Sequence, residues 1–325
     1  MYVYHADFQA FVAETGYTTE SEIFGWSFVF HTAIPEEVMK TITSAVLNAE
    51  WWLPVNGSYW KYPEGPLGGS ERVLKGLSLP GVSAEGVQQP EGKETEQAHS
   101  TQPRQQQQGL GHDVFSTGRG NHAVVQVSWN DAQQYCAWRG ARLPTEAEWE
   151  FAASGTSYVA NDNVENVVDT GGNILAVGSN PVEPAMFPWG DKLYPNKTHR
   201  ANIYQGTFPT SNTAKDGYEF ISPVDAFPPQ NAYGLHNMIG NVWEWVSDYY
   251  TTQHVVSDVP LKNPTGPASG TDKVKKGGSF LCHKSYCYRY RTAARFPSTA
   301  DSGTYNIGFR CAKDIPAEGS FSEEL

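Results

Sequence analysis

Apolar residues recur at helical spacing near the start of the chain. Phe8, Phe11 and Val12 share one face between residues 6 and 16, and Gly16 follows where a glycine C-cap would stand, which predicts a short amphipathic helix. Pro35 suits the first turn of a second helix, in which Val38, Ile42 and Val46 repeat every four residues up to Ala49. Trp51-Trp52-Leu53-Pro54 ends it, and this aromatic cluster reads as packing. The pattern then fails: residues 67 to 120 are Gly, Ser, Glu, Gln and Pro with no aromatic residue before Phe115, too little apolar surface to order a segment, so a disordered insertion is expected.

Val124 to Val127 reads as a strand, after which Ser128 or Asn130 caps a helix running through Trp138 and ending at Gly140. In Arg142-Leu143-Pro144-Thr145-Glu146-Ala147-Glu148-Trp149-Glu150, Thr145 and Glu148 have the spacing of a capping box, so these acids read as structural. Residues 156 to 184, rich in Gly, Asn and Val, form a second, weakly structured insertion, and the core resumes at Phe187-Pro188-Trp189-Gly190.

Composition sharpens this picture. Ten Trp and seventeen Tyr supply large groups for burial, while 31 Gly and 21 Pro interrupt regular structure. One large loop-rich domain with insertions is therefore preferred to two domains. A formal net charge of −12 argues against a nucleic-acid-binding surface, and no apolar run is long enough to span a membrane as a helix. Met1 to Asp7 offers neither a basic nor an apolar signal region. Asn56-Gly57-Ser58 and Asn196-Lys197-Thr198 are glycosylation sequons, residues 317 to 325 form an acidic tail, and its final Ser-Glu-Glu-Leu resembles a degenerate retention signal.

The chemistry centres on Gly277 to Arg291, which holds Cys282 and Cys287, two of only four cysteines. Their spacing fits neither a Cys-x-x-Cys redox helix nor paired zinc knuckles. A short-loop disulfide is one reading. The other is a thiolate pair that binds a soft metal or undergoes thiol-disulfide exchange, favoured by the neighbouring Lys284, Arg289 and Arg291.

The run from Lys275 to Arg295 and the later Asn306-Ile307-Gly308-Phe309-Arg310-Cys311 resemble the carboxy-terminal signature of the formylglycine-generating enzymes, the sulfatase-modifying factors. Arg-Leu-Pro-Thr-Glu-Ala-Glu-Trp-Glu is a further mark of that fold. The resemblance covers most of residues 1 to 65 and 121 to 315. It implies an α+β domain of the C-type-lectin-like kind with little regular secondary structure, made of residues 1–66 and 121–316. It also implies oxidation of the cysteine in a Cys-x-Pro-x-Arg segment of a nascent sulfatase to Cα-formylglycine by dioxygen, with copper(I) held by Cys282 and Cys287. Ser279 and Trp243 then lie near the dioxygen pocket, with Arg289, His283 and Tyr286 as neighbours of unassigned role.

The resemblance further implies two structural calcium sites, one from Asn202, Ile203, Asp216 and Tyr218 and one from Asn237, Gly240, Val242 and Glu244. By spacing alone these stretches read as an Asp-Gly turn and a capped aromatic segment. Cys136 and Cys311 match a family disulfide, while Ala153 and Thr292 together replace a further bridge of some relatives. In the family a block of chain precedes the position of Met1, and the sequons and carboxy terminus fit the endoplasmic reticulum lumen or secretory pathway. The alternatives are a non-catalytic binding module of the same fold, a paralogue class that lacks the cysteine pair, and a sulfoxide-synthase module, which needs a His-rich helical bundle this chain does not offer.

Overall fold

The computed structural model describes residues 3–67, 111–155, 185–253 and 261–314, together with the backbone of two short strands within 156–184. Helix α1 (His5–Thr15) buries Phe8 and Phe11 and ends at Gly16 in the left-handed region, as the spacing predicts. Helix α2 (Glu20–Phe24) begins at a capping box of Thr19 and Glu22 and leads into strand β1 (Trp26–Phe30). β1 pairs antiparallel with β2 (Trp52–Asn56).

The second expected helix is a correction: α3 (Glu36–Met39) is a single turn and does not reach Ala49. Thr41, Ile42, Thr43 and Ser44 are poor helix residues, Asn48 adopts a positive φ of 62°, and Val46 N–H instead bonds Trp52 O at 3.1 Å. The chain turns back here to start β2.

Helix α4 (Trp129–Trp138) is capped by Ser128 with Asp131, and α5 (Glu146–Ser154) by Thr145 with Glu148. Residues 124–127 are buried but belong to no ladder; Gln126 has φ 61° and turns its amide into hydrogen bonds with Ser58 and Pro63, which corrects the expected strand. The short pairs β3 (Val167–Val168) with β4 (Ile174–Ala176) and β5 (Gly206–Thr207) with β6 (Ser211–Asn212) are antiparallel. The central sheet contains β7 (Trp243–Tyr249), β8 (Asp272–Lys276), β9 (Arg295–Thr299) and β10 (Ile307–Phe309) in the order β10-β7-β8-β9. β10 runs parallel to β7; the other pairs are antiparallel.

One apolar cluster packs α1, α4 and α5 against β7 and β10 through Phe8, Tyr135, Trp149, Trp245 and Phe309. A second joins β1 and β2 to Phe220, Phe280 and Tyr305. Cys136 of α4 is disulfide-bonded to Cys311, just after β10, with Cα atoms 5.6 Å apart.

The insertion expected over 67 to 120 ends earlier. Val114 is fully buried, Phe115 packs on Trp60, and Arg119 pairs with the buried Glu64. Leu67 N–H bonds Gly111 O at 2.8 Å, so the chain leaves and re-enters the fold at one point. Residues 68–110, most of 156–184, and the tail from 315 lie outside the described residues.

Candidate active site

Strand β8 ends at Gly277-Gly278, both at positive φ (86° and 70°). A Cβ on Gly278 would lie 2.9 Å from Tyr290 N, so the close return of the loop requires glycine there. The loop that follows is held by its backbone: Cys282 N–H bonds Ser279 O at 2.9 Å, Cys287 N–H bonds His283 O at 2.6 Å, and Tyr204 N–H bonds Cys282 O at 3.1 Å. These bonds bring Cys282 and Cys287 together as a joined pair with Cα atoms 4.7 Å apart, both buried.

The pair lines a cavity of about 280 Å³. Ser279 and Trp243, the other predicted catalytic residues, line it too. Ser279 Oγ accepts from Asn306 Nδ2 at 2.9 Å and Leu281 N–H at 3.3 Å, which fixes the hydroxyl beside the cysteine loop. Trp243 is the first residue of β7 and stacks on Phe296 with ring centroids 6.0 Å apart. Tyr286 stacks on Phe208 at 4.1 Å and Trp51 meets both rings edge-on at 5.1 Å, forming an aromatic wall at the cavity.

Sequence reasoning missed several of these groups. Trp51 and Trp52 line the cavity and are more than packing; Trp51 ends the turn that replaced the expected helix and Trp52 begins β2. Lys275, Asn306 and Phe208 also line it. Lys275 is buried, its Nζ bonds Ser298 Oγ at 2.8 Å, and it lies 5.5 Å from the Trp243 ring centroid. Burial, and secondarily Arg289, push its pKa down to about 7. Four consecutive residues of β8, Lys273 to Lys276, are buried, and three of them are lysines, so no alternation of polar and apolar positions marked Lys275 in the sequence.

The expected calcium residues also converge. Asn202 O accepts from Asn241 N–H at 2.8 Å, and a Cβ on Gly240 would meet that oxygen at 2.5 Å, so both stretches pack against each other. Asn202 Oδ1 is buried and has no hydrogen-bond partner among the described residues, while its Nδ2 donates to Phe220 O at 2.8 Å. Beside it, Asp216 accepts from Ile203 N–H and Tyr218 N–H, each at 3.0 Å, and burial raises its pKa to about 6. An orphaned amide oxygen beside a desolvated carboxylate suits a hard cation.

The second set fits less well. Asn237 donates to Val224 O at 2.8 Å, but both Glu244 oxygens are taken by Arg310 at 2.6 Å each, and Trp149 Nε1 adds a third bond at 2.6 Å. Its carboxylate is already neutralised. The acids of α5 are structural as expected: Glu146 pairs with Arg295, Glu150 with the buried Lys276, and Glu148 with Arg142.

A mixed domain with little regular structure, built around a buried cysteine pair at a cavity, is the class that fold and site define. A family model for the sulfatase-modifying factor enzyme 1-like domain matches residues 1–315, and the chain belongs to that family. It is 45% identical to the formylglycine-generating enzyme of Mus musculus over 96% of this chain and 64% of that protein. It is 41% identical to the formylglycine-generating enzyme of Thermomonospora curvata over 96% of this chain and 80% of that protein. The inactive Cα-formylglycine-generating enzyme 2 of Bos taurus is 35% identical over 95% of this chain and 74% of that protein. The chain thus spans just under two thirds of the mammalian enzyme's length.

Proposed function

We propose that this protein converts the cysteine of a Cys-x-Pro-x-Arg segment in a sulfatase polypeptide to Cα-formylglycine. The observation that carries the reading is the buried Cys282–Cys287 pair opening on the same cavity as Ser279 and Trp243. Reduced, the pair presents two soft donors on one short loop, a set that fits copper(I). Copper(I) bound there would supply the activation of dioxygen. Conversion of the CH2–SH group to an aldehyde removes one electron pair from the substrate carbon; an external thiol reductant supplies the second pair that dioxygen consumes. The sulfur leaves as sulfide on hydrolysis.

The chain's own residues bind and orient. The aromatic wall of Trp51, Phe208 and Tyr286 gives an extended peptide an apolar surface beside the cysteines. Ser279 Oγ, fixed by Asn306, presents a polar group to a largely apolar cavity. Calcium at Asn202 and Asp216 would brace the 202–204 backbone, in which Asn202 O accepts from Asn241 N–H, Ile203 N–H donates to Asp216 and Tyr204 N–H donates to Cys282 O. The exposed Asn56 and Asn196 suit glycosylation in a secretory compartment. No helix among the described residues is long and apolar enough to cross a membrane.

Inactive relatives keep a second reading in view, a binding module without turnover. The test is to add copper(I) and a reducing thiol to the purified protein and follow a Cys-x-Pro-x-Arg peptide by mass, with Cys282→Ser and Cys287→Ser alongside. Aldehyde formation in the wild type, abolished in both folded variants, is expected. Peptide binding without conversion would establish the module reading instead.

A further inference from the structure

We propose that Lys275 is a specificity residue that selects the thiolate form of the substrate cysteine, its ammonium supplying the positive charge against which the anion settles in the cavity; this rests on the sulfatase-cysteine reading above. Lys275 Nζ carries three donors, yet among the described residues its one hydrogen-bond partner is the neutral Ser298 Oγ at 2.8 Å, and no carboxylate pairs with it. The neighbouring Lys276 shows the contrast, for it faces the other side of β8 and meets both Glu146 and Glu150. Lys273 turns to Ser247 O and the rings of Trp129 and Tyr249.

The groups that face Lys275 are thus few. From β7 comes Trp243, from β9 Phe296 and Ser298, and from the cysteine loop the cation Arg289, whose guanidinium lies 4.2 Å from the Phe296 ring centroid. Among the described residues, no Asp or Glu lines the cavity. On a chain of net charge −12 this is a buried positive site lacking its anion. A cation left without a counter-charge in a desolvated site is costly, and an arriving anion relieves that cost. The lowered pKa of Lys275 has the direction this requires. By reciprocity, the same charge favours ionisation of a thiol that would otherwise titrate near ~8.5. The proton leaves to solvent, and the cysteine enters as S⁻.

The test compares wild type, Lys275→Met and Lys275→Arg in two readouts: binding of a Cys-x-Pro-x-Arg peptide against its serine analogue, and the pH profile of kcat, which reports ionisation in the bound complex. Lys275→Met should weaken binding of the cysteine peptide about tenfold at neutral pH without touching the serine peptide, and move the acidic limb of kcat up by about one unit. Lys275→Arg should restore both. Ser298→Ala, which removes the hydroxyl oxygen that accepts from the ammonium and stabilises its charged form, should shift both readouts in the same direction by less. If Lys275→Met folds and keeps the wild-type preference and limb, the proposal is overturned. If it does not fold, an unshifted Ser298→Ala overturns it. Failure of the wild type to convert the peptide overturns the functional reading itself, and this inference with it, whereas conversion with an unmoved limb overturns only the role of Lys275.

Discussion

Replacing Arg310 with Met tests whether Glu244 is an ion-pair partner or a cation ligand. Glu244 is fully buried on β7, and Arg310 closes on both its oxygens at 2.6 Å immediately after β10. Methionine preserves much of the apolar stem but leaves the carboxylate with Trp149 Nε1 as its remaining donor from these contacts. Breaking a buried pair from one side costs about 3–5 kcal/mol, because a charge is stranded in a medium that solvates it poorly. For a domain of this size that is a fall in melting temperature of about 10 °C. Removing both charges, in Glu244→Gln with Arg310→Met, should recover a large part of the loss, since the stranded charge is gone. Urea unfolding of the wild type, Arg310→Met, Glu244→Gln and the double variant, each with and without a calcium chelator, supplies the numbers. The pair reading requires the Arg310→Met penalty to be the same with and without chelator. A penalty under about 1 kcal/mol, or one that vanishes when calcium is removed, would refute the reasoning.

Cys136→Ser should destabilise the fold by at most about 5 kcal/mol, the chain-entropy value for a bridge spanning 175 residues, read as a lowered urea midpoint at unchanged copper uptake. Asp216 has a folded pKa of about 6, above the ordinary value near ~3.9, so its contribution favours the folded state at low pH and is lost as pH rises through that window. Relative to Asp216→Asn, the wild-type melting temperature should therefore fall between about pH 4 and 6, and added calcium should reverse the fall above about pH 6. Replacing residues 70–110 with a short Gly/Ser linker should leave melting and turnover near wild type, while Val114→Ala should cost about 2 kcal/mol by thermal unfolding.

What the sequence could reveal followed from how local each signal was. The capping boxes at Ser128 and Thr145 and the glycine stop at Gly16 are read within four residues and stand in the structure as expected. The period-four pattern of Val38, Ile42 and Val46 misled because Val38 and Ile42 pack against the cluster around β1 and β2 from the single turn of α3 and the turn after it, a tertiary arrangement that overrides weak helix propensity. Val124 to Val127 is apolar because it is buried, without being paired. At the site, the cysteine pair and Ser279 sit in one contiguous segment and were legible. Lys275 was not, since a lysine in a charged strand reads as solvated until the neighbours that bury it are known. Trp51, Trp52 and Phe208 reach the cavity from segments over 70 residues away from Cys282, a distance no local pattern spans.

The parallel pairing of β10 with β7 carries a consequence for biosynthesis. β7 is made some sixty residues before its partner, and β8 and β9 emerge in between, on its other side. Val3 N–H also waits for Phe309 O, and Cys136 for Cys311. Until residue 311 has left the ribosome, Phe8 and Tyr135 lack Phe309 and one edge of β7 lacks β10, so the core cannot close segment by segment from the start of the chain. Long-range pairing of this kind is slow and exposes sheet edges while it is incomplete. A nascent chain of this protein would therefore depend on holding factors throughout its synthesis, and a ribosome stalled even a few codons short of Cys311 would release a polypeptide with nearly every element and no closed core.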